Sequence, residues 1–374
     1  MASEHQDPPY AENLTDRRIP VAPTYRGEFD PRLEKDDWEY HRTIRQDGAS
    51  AARNRLYAHS APEGHYELSG GDGILQVHPQ GGTQPKPYIF FIHGGLMTGS
   101  DRFVGVDKMV LDWGKDPLSD VIVHSVEYGR PPQSRGHGPS DDCWEFFCNV
   151  WENHKTLNID PKNVIVYGAS AGGCLAASMI LRWVAAHGRN PDLANDPLFS
   201  EIMKSNNPPF PDLKGVYLEA PMLDDRHQTI SRRQYAKGGA DVGGNLTSTE
   251  LGFSWGWLLN WYEKIEQGKP LKVIKRRVGT DDVSILEAPG RATAAQLKGF
   301  PPVCLEVGDA DPLRDEGKDF IDQVKASGGD NEAEYKLFQG GVPHGGWAID
   351  VEKKEKATRD LLRARVQKLK EWLP

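Results

Sequence analysis

From about residue 67 the chain alternates short apolar runs, rich in β-branched and aromatic residues, with segments of helical periodicity. The runs occupy 87–95 (PYIFFIHGG), 120–129 (DVIVHSVEYG), 163–170 (NVIVYGAS), 214–221 (KGVYLEAP), 301–311 (PPVCLEVGDAD) and 333–341 (AEYKLFQGG). Near-continuous apolar character predicts strands buried on both faces, and the alternation predicts an α/β fold with a mainly parallel central sheet flanked by helices. Between two runs, Ala171 to His187 reads as a helix, with small residues at its start, Leu175, Ile180, Leu181 and Val184 inside, and Gly188 as its C-cap. Near the end, Leu362, Val366, Leu369 and Leu373 form the apolar stripe of a terminal helix that packs on the sheet. Residues 1–65 are polar and punctuated by Pro, with a helical stretch predicted around Trp38 to Tyr57. Residues 222–300 break the strand rhythm with Gly-rich loops and the aromatic cluster FSWGWLLNWY at 253–262, as an insertion after a core strand would.

Composition changes this picture little. A chain of 374 residues that is 38% hydrophobic and 26% charged is long enough for a sizeable core. Its net charge of −9 argues against nucleic acid as a partner, and the basic stretch from Lys272 to Arg277 reads as a solvated face. Cys143, Cys148, Cys174 and Cys304 form no CxxC pair and have no His at metal-finger spacing, so no metal site is expected. The N-terminus has no apolar signal core, and no run approaches the roughly 18 residues a membrane span needs. A cytoplasmic location follows as the expectation. The sequons at Asn13 and Asn245 matter only in a secreted chain.

Chemistry enters at VIVYGASAGG, where Gly168, Ser170 and Gly172 complete a GxSxG. The letters alone are weak; the context is not. A strand precedes the serine and a helix follows, the setting in which a nucleophilic serine sits on a sharp, strained turn that admits only small neighbours. Nearly the same letters at 48–52 (GASAA) follow the charged HRTIRQD and have no such context. A serine hydroxyl needs a base, and the base a third group to orient it. In a strand–GxSxG–helix arrangement the partners follow in the order Ser, acid, His. His344 lies just after the final run. The loop after the penultimate run offers Asp309, Asp311 and Asp315. Asp315 opens a helix that buries Phe320, Ile321 and Val324, and Asp311 is favoured over Asp309. The oxyanion requires preorganised N–H donors. Two of Gly94, Gly95 and Leu96, together with Ala171, are the candidates, and His93 reads as a residue that braces this loop.

Six segments, HGG (93–95), GASAGG (168–173), APMLDDR (220–226), APGRA (288–292), GDADPLRDE (308–316) and VPHGG (342–346), together resemble the hormone-sensitive-lipase-like carboxylesterases of the α/β-hydrolase fold. The likeness spans about residues 85–350. In that family the acid follows a glycine by three positions and precedes a leucine by two, as Asp311 does with Gly308 and Leu313. The resemblance implies no cofactor and a helical cap arched over the serine. The cap would comprise residues 1–65 and the insertion 222–298, with the hydrolase core in 66–221 and 299–374. Two positions depart from the family: Leu96 stands where a third glycine is usual, and Ala169 where an acidic residue is frequent. Both bear on pocket shape, so the substrate is inferred only coarsely.

The expected activity is hydrolysis of a small to medium, largely apolar carboxylic ester through an acyl-enzyme, with Ser170, Asp311 and His344 as catalytic residues. A lactonase, an amidase or another acyl-releasing hydrolase would use the same triad. A small-molecule receptor on this fold would have a broken triad, whereas every position here is filled. The expected partner is a small-molecule ester, and a homo-oligomer is compatible with the chain. At helical spacing Phe253, Trp257 and Trp261 would share one face, with Trp255 turned away, and so line the substrate pocket.

Overall fold

Each of the six apolar runs forms a strand, and these strands lie in a single eight-stranded sheet. The structure, a computed structural model, describes residues 53–54, 56, 66–69, 74–79, 81, 83–111, 120–131, 134–202, 210–235, 246–262, 273–328, 332–345 and 355–373. Most of the helix expected around Trp38 to Tyr57, and nearly all of the 1–65 segment, lies outside them.

The strands are β1 (Tyr66–Ser69), β2 (Ile74–Pro79), β3 (Lys86–Ile92), β4 (Ile122–Val126), β5 (Ile159–Ala169), β6 (Leu213–Glu219), β7 (Trp261–Tyr262), β8 (Val273–Lys275), β9 (Val303–Gly308) and β10 (Ala333–Phe338). The helices are α1 (Val106–Leu111), α2 (Gly138–Glu152), α3 (Ala171–Ala186), α4 (Pro191–Ala194), α5 (Pro197–Ile202), α6 (Ile230–Gln234), α7 (Ser248–Leu259), α8 (Arg314–Ala326) and α9 (Glu355–Trp372). The large sheet runs β1-β2-β4-β3-β5-β6-β9-β10, with β7 and β8 paired separately. From β4 to β10 all neighbours are parallel, while β1 and β2 join antiparallel. The β1–β2 hairpin was not among the expected strands. In β2 only Leu75 and Val77 are buried, the period-two pattern of a strand covered on one face, which a search for continuous apolar runs passes over.

Side chains alternate across the central strands, so one sheet supports two apolar layers. Phe90, Ile92, Val164, Val166 and Val216 face α2, α3 and α8, whereas Ile89, Phe91, Ile165, Tyr167 and Tyr217 face α1 and α9. Every residue of α3 from Ala171 to Ala185 is buried, so this mainly apolar helix has no solvent face, and its one charge, Arg182, is paired with Asp141 of α2. Its end matches the expectation: Gly188 adopts φ 62°, and the amides of Gly188 and Arg189 return to the carbonyls of Ala185 and Val184. Along α9 Leu369 is buried and Leu362 and Val366 pack at the margin, and Leu373, just past its end, is buried as well. Trp372 lies flat against Gly215 of β6, where a Cβ would meet the indole at 2.6 Å.

Two expectations are corrected. The apolar character of 333–341 predicts a strand buried on both faces, but every residue of β10 is only half-buried, because β10 is the sheet's edge and pairs with β9 alone among the described residues. The stripe Phe253, Trp257, Trp261 does not share one helix face, because α7 stops at Leu259. Asn260 turns the backbone extended, and its Oδ1 accepts from the amides of Arg277 (2.8 Å) and Val278 (3.3 Å), which draws the chain into the β7–β8 pair. Phe253 and Trp257 do meet, with ring centroids 5.9 Å apart, and Trp255, expected to turn away, is fully buried.

Phe147 of α2 sits at the centre of an aromatic cluster, edge-on to Phe90 (5.3 Å) and stacked with Phe210 (5.9 Å). Phe147→Ala is expected to destabilise the protein by about 3–5 kcal/mol, read as a fall in the urea midpoint. A loss within experimental error would show that this layer collapses without cost.

Candidate active site

Ser170 has φ 54° and ψ −116°, a conformation that costs a non-glycine residue about 1–3 kcal/mol. Close packing around it makes the glycines obligatory. A Cβ on Gly168 would lie 2.4 Å from the Gly172 carbonyl oxygen, one on Gly172 2.1 Å from that of Ile92, and one on Gly173 2.6 Å from Pro221 Cβ. Hydrogen bonds hold the turn from the next strand. The Ser170 amide donates to Glu219 O (2.7 Å), and the Ser170 carbonyl accepts from Gly173 (2.9 Å) and Met222 (3.0 Å).

The residues singled out after Ser170 come together across 174 positions of sequence. Ser170 Oγ lies 2.9 Å from His344 Nε2, and His344 Nδ1 lies 2.9 Å from Asp311 Oδ2. Asp311 is wholly buried, and its Oδ1 accepts from the Leu313 amide at 2.8 Å. With Nδ1 facing a carboxylate, the ring proton belongs on Nδ1, which leaves the Nε2 lone pair directed at the serine hydroxyl. Asp309 does other work. Its carboxylate accepts from the amides of Gly340 (3.0 Å), Gly341 (3.2 Å) and Val342 (2.7 Å), and so fastens the loop that delivers His344 to the end of β9. Gly308 permits this approach, since a Cβ there would stand 2.0 Å from Val342 O.

The loop after β3 lies against the serine: a Cβ on Gly94 would be 3.1 Å from Ser170 Cβ and 3.0 Å from Ala169 O. Gly95 takes φ 114°, and Leu96, standing where the family usually has glycine, takes φ 56°. The left-handed region costs leucine about 1–2 kcal/mol. Opposing that cost, the Thr98 and Gly99 amides both return to Gly95 O, and Ser254 Oγ of α7 donates to Leu96 O. No backbone carbonyl among the described residues accepts from the amides of Gly94, Gly95, Leu96 or Ala171. His93 braces the loop as expected: Nδ1 lies 2.7 Å from Gly94 O, and the ring stacks on Tyr128, whose hydroxyl donates to His93 O at 3.0 Å. Burial pushes the His93 imidazole down to about 3, keeping it neutral.

Several supporting residues escaped the sequence reading. Glu316 Oε1 accepts from the amides of Leu223 (2.7 Å) and Asp224 (3.4 Å), fixing the chain where the insertion leaves β6. Asp315, read only as a helix opener, also accepts from the Ser231 amide at 2.8 Å and so ties α6 to α8. Asp225 pairs with Arg291 at 2.6 Å and 2.9 Å, joining both ends of the insertion. The segments APMLDDR, APGRA and PLRDE carried these residues, but their pairing distances are invisible along the chain. Phe253 and Trp257 lie on α7, which reaches the β3 loop through Ser254. The placement of the Trp261 side chain lies outside the described residues.

The family model described as alpha/beta hydrolase fold matches residues 89–347. This chain belongs to that family, in the hormone-sensitive-lipase-like group that its six segments resemble. Among curated proteins, the vegetative-specific protein H5 of Dictyostelium discoideum is 23% identical over 278 residues, which cover 70% of this chain and 67% of that protein. Among solved structures, a bacterial heroin esterase superposes with TM-score 0.66 at 22% identity, covering 94% of this chain and 98% of the other. EstE1, a thermostable carboxylesterase cloned from a metagenomic library, gives 0.64 at 21% identity, over 89% and 98%. At these identities the superpositions speak for the fold.

Burial pushes the Glu316 carboxyl up to about 8, against the opposing pull of Arg232. The folded protein therefore holds this proton more tightly than the unfolded chain does. The resulting stabilisation is full below the ordinary carboxylate value of about 4.3 and is lost as pH rises towards 8. Glu316→Gln keeps the acceptor oxygen and removes the titration, so the variant should gain stability relative to wild type between about pH 5 and pH 8. A stability difference that stays constant across that window would refute the assignment.

Proposed function

We propose that this chain is a carboxylesterase that cleaves small to medium, largely apolar esters through an acyl-enzyme on Ser170. The observation that carries the reading is the unbroken relay Ser170 Oγ, His344, Asp311 at a strained strand–helix turn. Ser170 Oγ attacks the ester carbonyl carbon while His344 Nε2 takes its proton. Asp311 holds the ring and stabilises the imidazolium that forms. The amide of Ala171 and two among Gly94, Gly95 and Leu96 donate to the oxyanion as charge develops there, an effect worth about 3 kcal/mol of barrier per donor. As the tetrahedral species collapses, the ester C–O bond breaks and His344 gives its proton to the departing alcohol. Water then surrenders a proton to His344 and attacks the acyl carbon, which frees the acid and restores Ser170.

Residues 66–221 and 299–374 form the hydrolase core in this reading, and residues 1–65 with 222–298 form the cap over the serine. Phe253 and Trp257 of α7 supply the apolar lining that sets acyl size. Support comes from Ser254, which binds α7 to the loop carrying the oxyanion donors. The names of the esterase structures that share the fold favour the same reaction class. No described helix is long and apolar enough to cross a membrane, and a small-molecule ester met in the cytoplasm is the partner envisaged.

Ser170→Ala should abolish both hydrolysis of p-nitrophenyl esters and labelling by a fluorophosphonate, with circular dichroism unchanged. Persistent labelling of the variant would place the nucleophile elsewhere. For the acid, Asp311→Asn should lower kcat by about 10⁴, because the imidazole loses its tautomer and its partner. Asp309→Asn retains an acceptor for the His344 loop and should cost far less activity. The opposite order would exchange the roles of the two aspartates.

A further inference from the structure

On the far face of the sheet from α3, β5, β6 and β9 bring two tyrosines and two glutamates into one buried layer. Parallel register sets Tyr167 beside Tyr217 and Glu219 beside Glu306. Two adjacent carboxylates in an apolar layer repel each other and lose hydration, so each oxygen requires a donor. Each has one. Tyr167 Oη donates to Glu219 Oε2 (2.5 Å), and Tyr217 Oη donates to Glu306 Oε2. Arg365 of the C-terminal helix α9 reaches both remaining oxygens, with Nη2 bonded to Glu306 Oε1 and 3.2 Å from Glu219 Oε1. The side chains of Arg365 and Glu306 are each only 2% exposed and that of Glu219 8%.

This network stands directly beneath the candidate site. The Glu219 carbonyl is the group that accepts from the Ser170 amide, and the Glu306 carbonyl accepts from Ala220 at 2.7 Å. Two residues beyond Glu306, Gly308 begins the turn that carries Asp309 and Asp311. Buried ion pairs often add little net stability over apolar replacements, because desolvation offsets the attraction. What they do confer is geometry, since the bonded groups fit in one arrangement only.

We propose that Arg365 is a positioning residue for ester hydrolysis: by bridging Glu219 and Glu306 it fixes the relative placement of the strand ends from which Ser170 and Asp311 project. The inference rests on the assignment of those two residues as nucleophile and acid. Arg365 touches no substrate and acts through the backbone of β6 and β9. Removing it leaves two neighbouring carboxylates to separate or to take up a proton, and burial already raises the Glu306 carboxyl against the pull of Arg365. Either response shifts a strand end, and displacements of about 1 Å at a reacting group can cost on the order of 10²-fold in rate.

The test compares Arg365→Met, Arg365→Lys and the double variant Arg365→Met/Glu306→Gln. Active sites are counted by fluorophosphonate titration, and hydrolysis of p-nitrophenyl acetate is measured per titrated site. Arg365→Met should lower kcat about tenfold or more with KM changed by less than about twofold. Arg365→Lys should recover part of the loss. The double variant, which removes the unpaired charge and places an amide donor beside Glu219, should recover most of it. Should Arg365→Met not fold, Tyr217→Phe deletes one bond to Glu306 without opening a cavity and should still lower kcat several-fold. An unchanged kcat per titrated site in these variants, with only the melting temperature reduced, would overturn the proposal. Survival of activity in Ser170→Ala would instead overturn the assignment beneath it, so the two failures are separable.

Discussion

A serine backbone held at φ 54° is the constraint on which the rest of the site depends. That conformation costs a non-glycine residue free energy, so the surrounding structure has to impose it. It does so by proximity. The first turn of α3 is driven against the end of β3 until only glycine fits at 172, and against the chain leaving β6 until only glycine fits at 173. The Ser170 amide and carbonyl are then both engaged by the β6 end, through Glu219 and Met222. The strain is therefore distributed over three strands and one buried helix, and the hydroxyl is left at the tip where the sheet ends.

The same packing explains the neighbouring loop. Gly94 can approach Ser170 and Ala169 because nothing projects from its α-carbon, and this approach lays the β3 loop against the serine turn. A leucine at 96 is tolerated at positive φ because two amides close on Gly95 O and α7 supplies a hydroxyl to Leu96 O. The insertion thus stabilises the departure from the usual glycine in the very loop it contacts. His93, neutral and stacked on Tyr128, braces the loop through Gly94 O.

Opposite the serine, the aspartates divide the labour by a two-residue offset. Asp309 gathers three backbone amides and so shapes the return loop, while Asp311 meets the imidazole that the loop carries. Asp315 and Glu316, one turn further on, reach back to the insertion. The single stretch 308–316 consequently holds the His344 imidazole, fastens its loop and anchors the chain leaving β6.

The sequence by itself determined the features that depend on near neighbours. Strand periodicity marked the buried strands, and the steric demands of a strand–turn–helix marked Ser170. Chain order pointed to His344, and the family resemblance, through the spacing from Gly308, pointed to Asp311. Small residues and a following glycine marked α3 and its cap. Partnerships between distant residues left no such trace. The end of α7 at Leu259 depends on Asn260 bonding to Arg277 and Val278, so the aromatic spacing overran the helix. The hairpin of β1 and β2 shows only the alternation of a one-sided strand, and the exposure of β10 follows from its place at the sheet edge. Asp309 gains its three amide partners only when the Gly340–Val342 loop is folded onto it, and Arg365 meets its two glutamates only when α9 lies across the sheet. Local sterics and periodicity are written in consecutive residues, whereas burial and pairing energies exist only once segments tens to hundreds of positions apart share a single volume, and those the tertiary structure alone decided.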